Sequence, residues 1–434
     1  IHSHLYIQNG DMDITISCHP YQNEQNQHKR NHKFKKMKSI CKNNECTACY
    51  ACINVCPKQC ISMHKDTYGS LQPKIDENKC INCNLCVKTC PNNTPPTFNM
   101  PSACYASWIE EYKTRKKCAS GGIGTMISQY AISKKQAIVY GSRFNKDFQA
   151  TAFGTSNIRD IELFKGSKYV QSLIGHDTFK KIKTQLDRNE YVVFIGTPCQ
   201  IAGLKGFLHR EYENLLTVDL ICHGVCPSDY LKEEVEYLCN RYNLKDIDDI
   251  RFRGNDEYNF CLSLWSNDQL KYCKREYSDY YLSGFLLGVT MRENCYTCKY
   301  ARPERISDIT IGDFIGLGNK IPFEYNVSNV SSVFINTQKG KEFYFNLCRE
   351  EQTIKYIERP LEERLEYGPS LRYPFPRHNL NALFKENYTK YGFVKAIRIT
   401  LKKKVIISRI KDSLPAIRYA YRIAKSLVAK FRHI

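Results

Sequence analysis

Between Cys46 and Pro91 one cysteine pattern is written twice, first as Cys46-Thr-Ala-Cys49-Tyr-Ala-Cys52-Ile-Asn-Val-Cys56-Pro57 and then as Cys80-Ile-Asn-Cys83-Asn-Leu-Cys86-Val-Lys-Thr-Cys90-Pro91. Three cysteines at two-residue gaps wrap a tight loop around one iron-sulfur cube, and the fourth, three residues on, reaches across to the other cube. The spacing therefore predicts crossed ligation. Cys46, Cys49, Cys52 and Cys90 hold one 4Fe-4S cluster, and Cys80, Cys83, Cys86 and Cys56 hold the other. Zinc would draw its four thiolates from two separated pairs, and a disulfide framework needs an oxidising compartment. Neither explains two runs of four with a proline after each.

A third set of cysteines is more dispersed. Cys199 follows the apolar run Tyr191-Val-Val-Phe-Ile195 through Gly196-Thr-Pro, and Cys222 follows Leu215-Leu-Thr-Val-Asp-Leu-Ile221. A later loop adds Cys295-Tyr-Thr-Cys298, so four thiols can meet as a third 4Fe-4S site. Cys226 competes for the fourth position. The bland reading, small buried hydrophobes, fits poorly with four cysteines in loops beside Gly and Pro. Cys18, Cys41, Cys60, Cys104, Cys118, Cys239, Cys261, Cys273 and Cys348 have no partner at useful spacing. A separate signal is Cys118-Ala-Ser120-Gly121-Gly122-Ile-Gly124-Thr125 ahead of a helical pattern over Met126–Lys135, where backbone N–H groups can approach a phosphate. The loop Lys165 to Gln171 adds a cation and hydroxyls for the same anion. Each has an ordinary alternative, a turn in one case and a solvated loop in the other.

The elements that must position these groups follow from periodicity. Residues 1 to 40 read as a flexible polar leader, with scattered histidines that carry no assigned role. Residues 41–98 form a small two-cluster domain whose halves are offset by 34 residues at every cysteine, an internal repeat whose core is supplied largely by its clusters. From 102 to 390, wholly apolar strands at 137–140, 191–195, 215–221 and 308–314 alternate with helices at 200–208 and 229–241. That pattern predicts a mixed, largely parallel α/β domain with both sheet faces covered. Ligands in such sheets sit beyond the carboxyl ends of the strands, where Cys199 and Cys222 fall. A basic helical tail occupies 393–434.

Cluster-bearing cysteines need reduced thiolates, which places the chain in the cytoplasm. The sequence begins at Ile1, which leaves its true start and any targeting signal undefined, and no run of about 18 apolar residues is present. The net charge of +20 is not a nucleic-acid footprint: twelve Lys/Arg against one Asp lie in residues 395–434, leaving a mildly basic +9 elsewhere. Within that tail Ile399, Ile406, Ile410 and Leu414 share one helical face, and Ile417, Tyr421, Ala424, Val428 and Phe431 form another. Such helices lie on an anionic membrane, dock an acidic protein such as a ferredoxin, or pack against the chain's own core or a second copy.

Taken together, Phe194-Ile-Gly-Thr-Pro-Cys-Gln-Ile-Ala-Gly-Leu204, Gly166-Ser-Lys-Tyr-Val-Gln-Ser172, Cys222-His-Gly224, Arg251-Phe-Arg-Gly254, Cys295 to Cys298 and Ser307-Asp-Ile-Thr-Ile-Gly-Asp313 resemble the coenzyme F-420 (deazaflavin) hydrogenase/dehydrogenase beta-subunit family over residues 104 to 375. Some members carry a fused bacterial-ferredoxin-like domain at the N-terminus, as here. The resemblance implies FAD near Ser120, Gly121, Gly122, Lys168, Gln171, Thr197 and Asp313, with Cys199, Cys222, Cys295 and Cys298 holding a cluster beside it. His223 and Lys168 are the candidates for proton delivery or for stabilising reduced flavin, although a loop histidine is as often structural. The expected function is an FAD- and 4Fe-4S-dependent oxidoreductase that exchanges electrons with a protein donor or acceptor and acts on a small organic substrate or a deazaflavin-type coenzyme. The alternative is an electron-transfer adaptor feeding a partner enzyme, with surface-polysaccharide biosynthesis as one setting.

Overall fold

The protein is described as a computed structural model over residues 39–254 and 260–414. Nearly all of the polar leader and residues 415–434 of the tail, including the stripe from Ile417 to Phe431, lie outside the described residues.

The N-terminal repeat folds into a hairpin of β1 (Ile61–Lys65) and β2 (Leu71–Ile75) with two single-turn helices, Ala51–Val55 and Leu85–Thr89. The main sheet has eight strands. In chain order these are β3 (Ala103–Ile109), β4 (Ile138–Phe144), β5 (Ala150–Thr155), β6 (Val192–Gly196), β7 (Leu215–Leu220), β11 (Ile309–Asp313), β12 (Ser331–Ile335) and β13 (Ile354–Arg359); β8 (Asp249–Arg251), β9 (Cys261–Ser266) and β10 (Gln269–Arg275) make a separate antiparallel sheet. The spatial order of the large sheet is β13-β3-β12-β11-β7-β6-β4-β5. The sheet is mixed. Strands β11, β7, β6 and β4 run parallel at its centre, and the four flanking strands pair antiparallel.

Burial on both faces explains the unbroken apolar runs of the central strands. Along β6, Val192 and Phe194 pack among residues of the helices Thr178–Asp187 and Pro198–Leu208, while Val193 and Ile195 pack among those of Ile123–Lys135 and Gln338–Glu350. Since β4, β6, β7 and β11 share one direction, the loops carrying Cys199, Cys222 and Phe314 all leave the same edge.

The small sheet, the helix Ser228–Tyr242 and the C-terminal helix share a second core. The C-terminal helix runs over Asn381–Ser413 and breaks at Gly392, whose φ of 72° lies in the left-handed region that favours glycine. Past the break the Phe393 N–H donates to the Glu233 carboxylate at 3.0 Å, and Arg398 grips Glu234 through two 2.8 Å hydrogen bonds. Phe393, Ile397, Leu401 and Val405, four residues apart, are fully buried. Ile399, Ile406, Ile410 and Leu414 point the other way and are exposed.

Candidate redox site

The two halves of the repeat use one backbone device. Ala48 and Asn82, and again Tyr50 and Asn84, stand 34 residues apart and adopt positive φ, so each loop curls back on its first cysteine. The Ala48 N–H donates to Cys46 Sγ at 3.3 Å, and the Asn82 N–H to Cys80 Sγ at 3.4 Å. Cys56 lines a small cavity with Cys80, Cys83 and Cys86, while the Cys90 thiol lies with Cys46, Cys49 and Cys52, as crossed ligation requires. Cys83 is exposed between the exposed Ile81 and Leu85, whereas Cys46, Cys49 and Cys52 are buried.

Two cysteines without a sequence assignment join these loops. Cys60 Sγ is 3.4 Å from Cys56 Sγ, and the Cys41 thiol hydrogen bonds to Cys46 and Cys90, holding the first near 7 and the second near 6. Each spare thiol thus touches one crossing cysteine, Cys60 that of the first run and Cys41 that of the second. Their distances along the chain, one before the repeat and one after its first run, concealed this. Replacing Cys60 by Ala is expected to leave the iron content unchanged and alter the spectrum of the outer cluster, while Cys56→Ser loses one cube; iron analysis and EPR distinguish them.

The third set is gathered by three loops. Thr197 caps the helix Pro198–Leu208 in a reciprocal capping box with Gln200, and its hydroxyl lies 3.2 Å from Cys199 Sγ. The loop after β7 brings Cys222 and His223, and a short 3-10 turn over Glu293–Thr297 brings Cys295, with Cys298 directly after it. Cys199, Cys222, Cys295 and Cys298 all line one cavity of about 140 Å³. Cys226 does not line it. That thiol is fully buried in the second core, 3.1 Å from Thr290 Oγ1. Cys226→Ala is therefore expected to lower stability by about 1–2 kcal/mol through lost packing without changing iron content, as anaerobic unfolding and iron analysis would show.

Among the described residues no three His, Cys, Asp or Glu side chains could grip a single metal ion. A cube differs, because it offers a separate iron to each thiolate and so keeps its four ligands apart. The cavity wall also carries two buried polar atoms without a protein partner among the described residues, Thr47 Oγ1 and His223 Nε2. Burial pushes the Cys199 thiol up to about 11 and Cys295 to about 12, so these groups need a bound cation to become thiolates. The four-thiol cavity fits a cluster.

The helix that presents Cys199 also touches the ferredoxin-like unit. Gly203, one turn on, stands where a Cβ would be 2.6 Å from Cys49 Cβ and 2.9 Å from its Sγ. About one helical turn, roughly 6 Å of rise, separates the residue at the third cavity from the one against the first cluster loop. Glu45 and Thr47 of that loop, and Asn92 just after the second run, line the cavity wall. Arg292 is buried between them. Its guanidinium donates to Cys46 O at 2.9 Å, Leu71 O at 3.1 Å, Asn294 Oδ1 at 3.1 Å and Gln171 Oε1.

The residues implied for flavin fall along the same strand-end edge but differ in what they do there. The Ser120 hydroxyl donates to Val330 O, the Gly121 N–H donates to Ser331 Oγ, and a Cβ on Gly121 would stand 2.3 Å from Ser107 O. Close packing on the sheet therefore accounts for that glycine. Gly122 begins the helix Ile123–Lys135 as its N-cap. Lys168 Nζ donates to the carbonyls of Leu163 and Lys165, and burial lowers its pKa to about 7. Gln171 is held by Arg292 and leaves its amide nitrogen unpartnered among the described residues.

Asp313, at the end of β11, accepts from Arg253 Nη1 at 2.8 Å, and its carbonyl accepts from Arg364 Nε at 2.9 Å. Both guanidiniums are buried, and Arg253 Nε and Arg364 Nη1 have no partner among the described residues. This arginine pair received no role from the sequence, although Arg253 belongs to a motif noted there. Its unfilled donors suit an anionic group. His223 packs on Phe375 with ring centroids 4.1 Å apart, and burial pushes its pKa down to about 4, so the ring is neutral near pH 7 and adds no fixed charge to the edge.

Comparison with known proteins finds two family matches. Residues 45–94 match the 4Fe-4S dicluster domain, and residues 189–359 match the C-terminal region of the coenzyme F420 hydrogenase/dehydrogenase beta subunit. No curated protein matches the chain. Among solved structures, a chain of the F420-reducing NiFe hydrogenase complex from Methanosarcina barkeri, in a xenon derivative, is similar over 71% of this chain and 94% of its own, at 16% identity and a TM-score of 0.41. Residues 45–94 thus form a 4Fe-4S dicluster domain, and residues 189–359 are a C-terminal region of the coenzyme F420 hydrogenase/dehydrogenase beta-subunit type.

Proposed function

We propose that this chain is an iron-sulfur flavoprotein oxidoreductase. Cys199, Cys222, Cys295 and Cys298 would hold a third 4Fe-4S cluster beside the two ferredoxin-type clusters, and with FAD bound the chain would exchange electrons between a protein donor or acceptor and a small organic substrate or a deazaflavin-type coenzyme. The observation that carries this reading is the four-cysteine cavity, built at the strand-end edge and walled partly by the first cluster loop. A redox relay needs such adjacency.

Bound FAD would supply the exchange between single electrons and electron pairs that cubes lack. The chain's residues would hold it in place. Arg253 and Arg364 offer donors to an anionic portion, Lys168 adds a cation that burial brings near neutrality, and the Thr197 hydroxyl stands 3.2 Å from Cys199 Sγ at the same edge. His223, neutral and packed on Phe375, serves as a positioning group at the cavity wall. The exposed surface at Ile81, Cys83 and Leu85 is where a protein donor would meet the outer cluster.

Denaturing the anaerobically purified protein is expected to release about one FAD per chain, and Lys168→Ala to weaken FAD binding about tenfold while iron content holds. Gly121 is a poor probe, since any side chain there collides with the Ser107 backbone. Iron-replete protein that takes up no flavin contradicts the enzyme reading and leaves the adaptor. Flavin bleached by a small substrate without a partner protein favours the enzyme; bleaching only by a reduced protein favours the adaptor.

A further inference from the structure

The C-terminal helix has two apolar faces, and only one is used at home. Phe393, Ile397, Leu401 and Val405 fill the second core at 0% exposure, whereas Ile399, Ile406, Ile407, Ile410 and Leu414 stand between 42% and 52% exposed. The residues flanking this outer stripe are exposed lysines, among them Lys395, Lys402 and Lys403. We infer that the outer face docks on an anionic membrane surface, with its isoleucines at the headgroup boundary and its lysines among the headgroups.

Charge and composition select that occupant. Residues 415–434 contain Arg418, Arg422, Lys425, Lys430 and Arg432 and no acidic residue, so folding this segment back on the stripe would set cations against cations. A second copy of the same face would do likewise. Protein interfaces favour aromatic side chains, Met and Arg and are depleted in Lys. Here the stripe is aliphatic and its described neighbours are lysines, whose stems can lie along apolar surface while their ammonium groups reach outward. Basic residues near anionic lipid add to apolar insertion. Among the described residues no helix is long and apolar enough to cross a membrane, so the contact is peripheral. The inference is independent of the flavin assignment.

The test is flotation of the intact holoprotein with phosphatidylcholine vesicles and with vesicles that also contain phosphatidylserine. The protein is expected to float only with the anionic vesicles and to be released by salt. Replacing Ile406 and Ile410 together by Glu is expected to reduce partitioning about tenfold or more, with iron content and melting unchanged because both side chains are exposed. An intact protein that never floats, or a double variant that floats equally well, overturns the proposal. So does a dimer that the double substitution dissociates, which would assign the face to a second copy, or retention by an acidic protein without vesicle binding.

Discussion

Cys199→Ser protein, purified without oxygen, is expected to carry about eight irons per chain where the wild type carries about twelve, three cubes of four. The fold tolerates the change because the helix start is held by Thr197 and Gln200 rather than by the thiol. What the variant loses is one thiolate corner of the cavity, and the serine hydroxyl put there is a much poorer iron ligand than a thiolate, so the cube is expected to be lost during purification. EPR of the reduced variant should keep the two ferredoxin-type signals. Equal iron in variant and wild type, near eight in both, would remove the third cluster.

Arg292→Met is expected to have the second large effect, for two reasons that act at different levels. The guanidinium satisfies two backbone carbonyls of the ferredoxin-like unit and the side chains of Gln171 and Asn294. A buried acceptor left unpaired costs about 1–3 kcal/mol, so a total loss of about 3–5 kcal/mol is expected in anaerobic unfolding. The second reason is electrostatic. A fixed positive charge beside Cys46 favours the more negative, reduced state of the cluster there, and its removal should lower that potential by on the order of 50 mV. Arg292→Lys should restore part of the potential but little of the stability, since an ammonium cannot reproduce the planar fork. A variant with unchanged potential would mean that Arg292 only packs.

How much of this was legible in the sequence depends on the kind of signal. The four strands read from sequence are the four parallel ones, β4, β6, β7 and β11, because burial on both faces leaves a continuous apolar run. Strands such as β13, Ile354–Arg359, were missed: an edge strand with Lys355, Tyr356 and Glu358 exposed carries no such run. The repeat's cysteines were legible because each loop is local. Cys41, Cys60 and the pair Arg253 and Arg364 were not, since their partners are fixed by tertiary packing alone. The tail shows a further limit. Periodicity found the stripe Ile399, Ile406, Ile410 and Leu414, but could not tell that the helix's other stripe is the one buried at home.

The most direct measurement mixes the oxidised holoprotein anaerobically with a low-potential protein donor and follows cluster EPR and flavin absorbance in the same samples. Electrons entering at the exposed outer cluster should reach the flavin in the wild type, with bleaching that follows cluster reduction. In Cys199→Ser the two ferredoxin-type clusters should still reduce while the flavin stays oxidised on that time scale. Flavin that bleaches at the wild-type rate in Cys199→Ser, or never bleaches in the wild type while all clusters are reduced, would contradict a relay through the four-cysteine cavity.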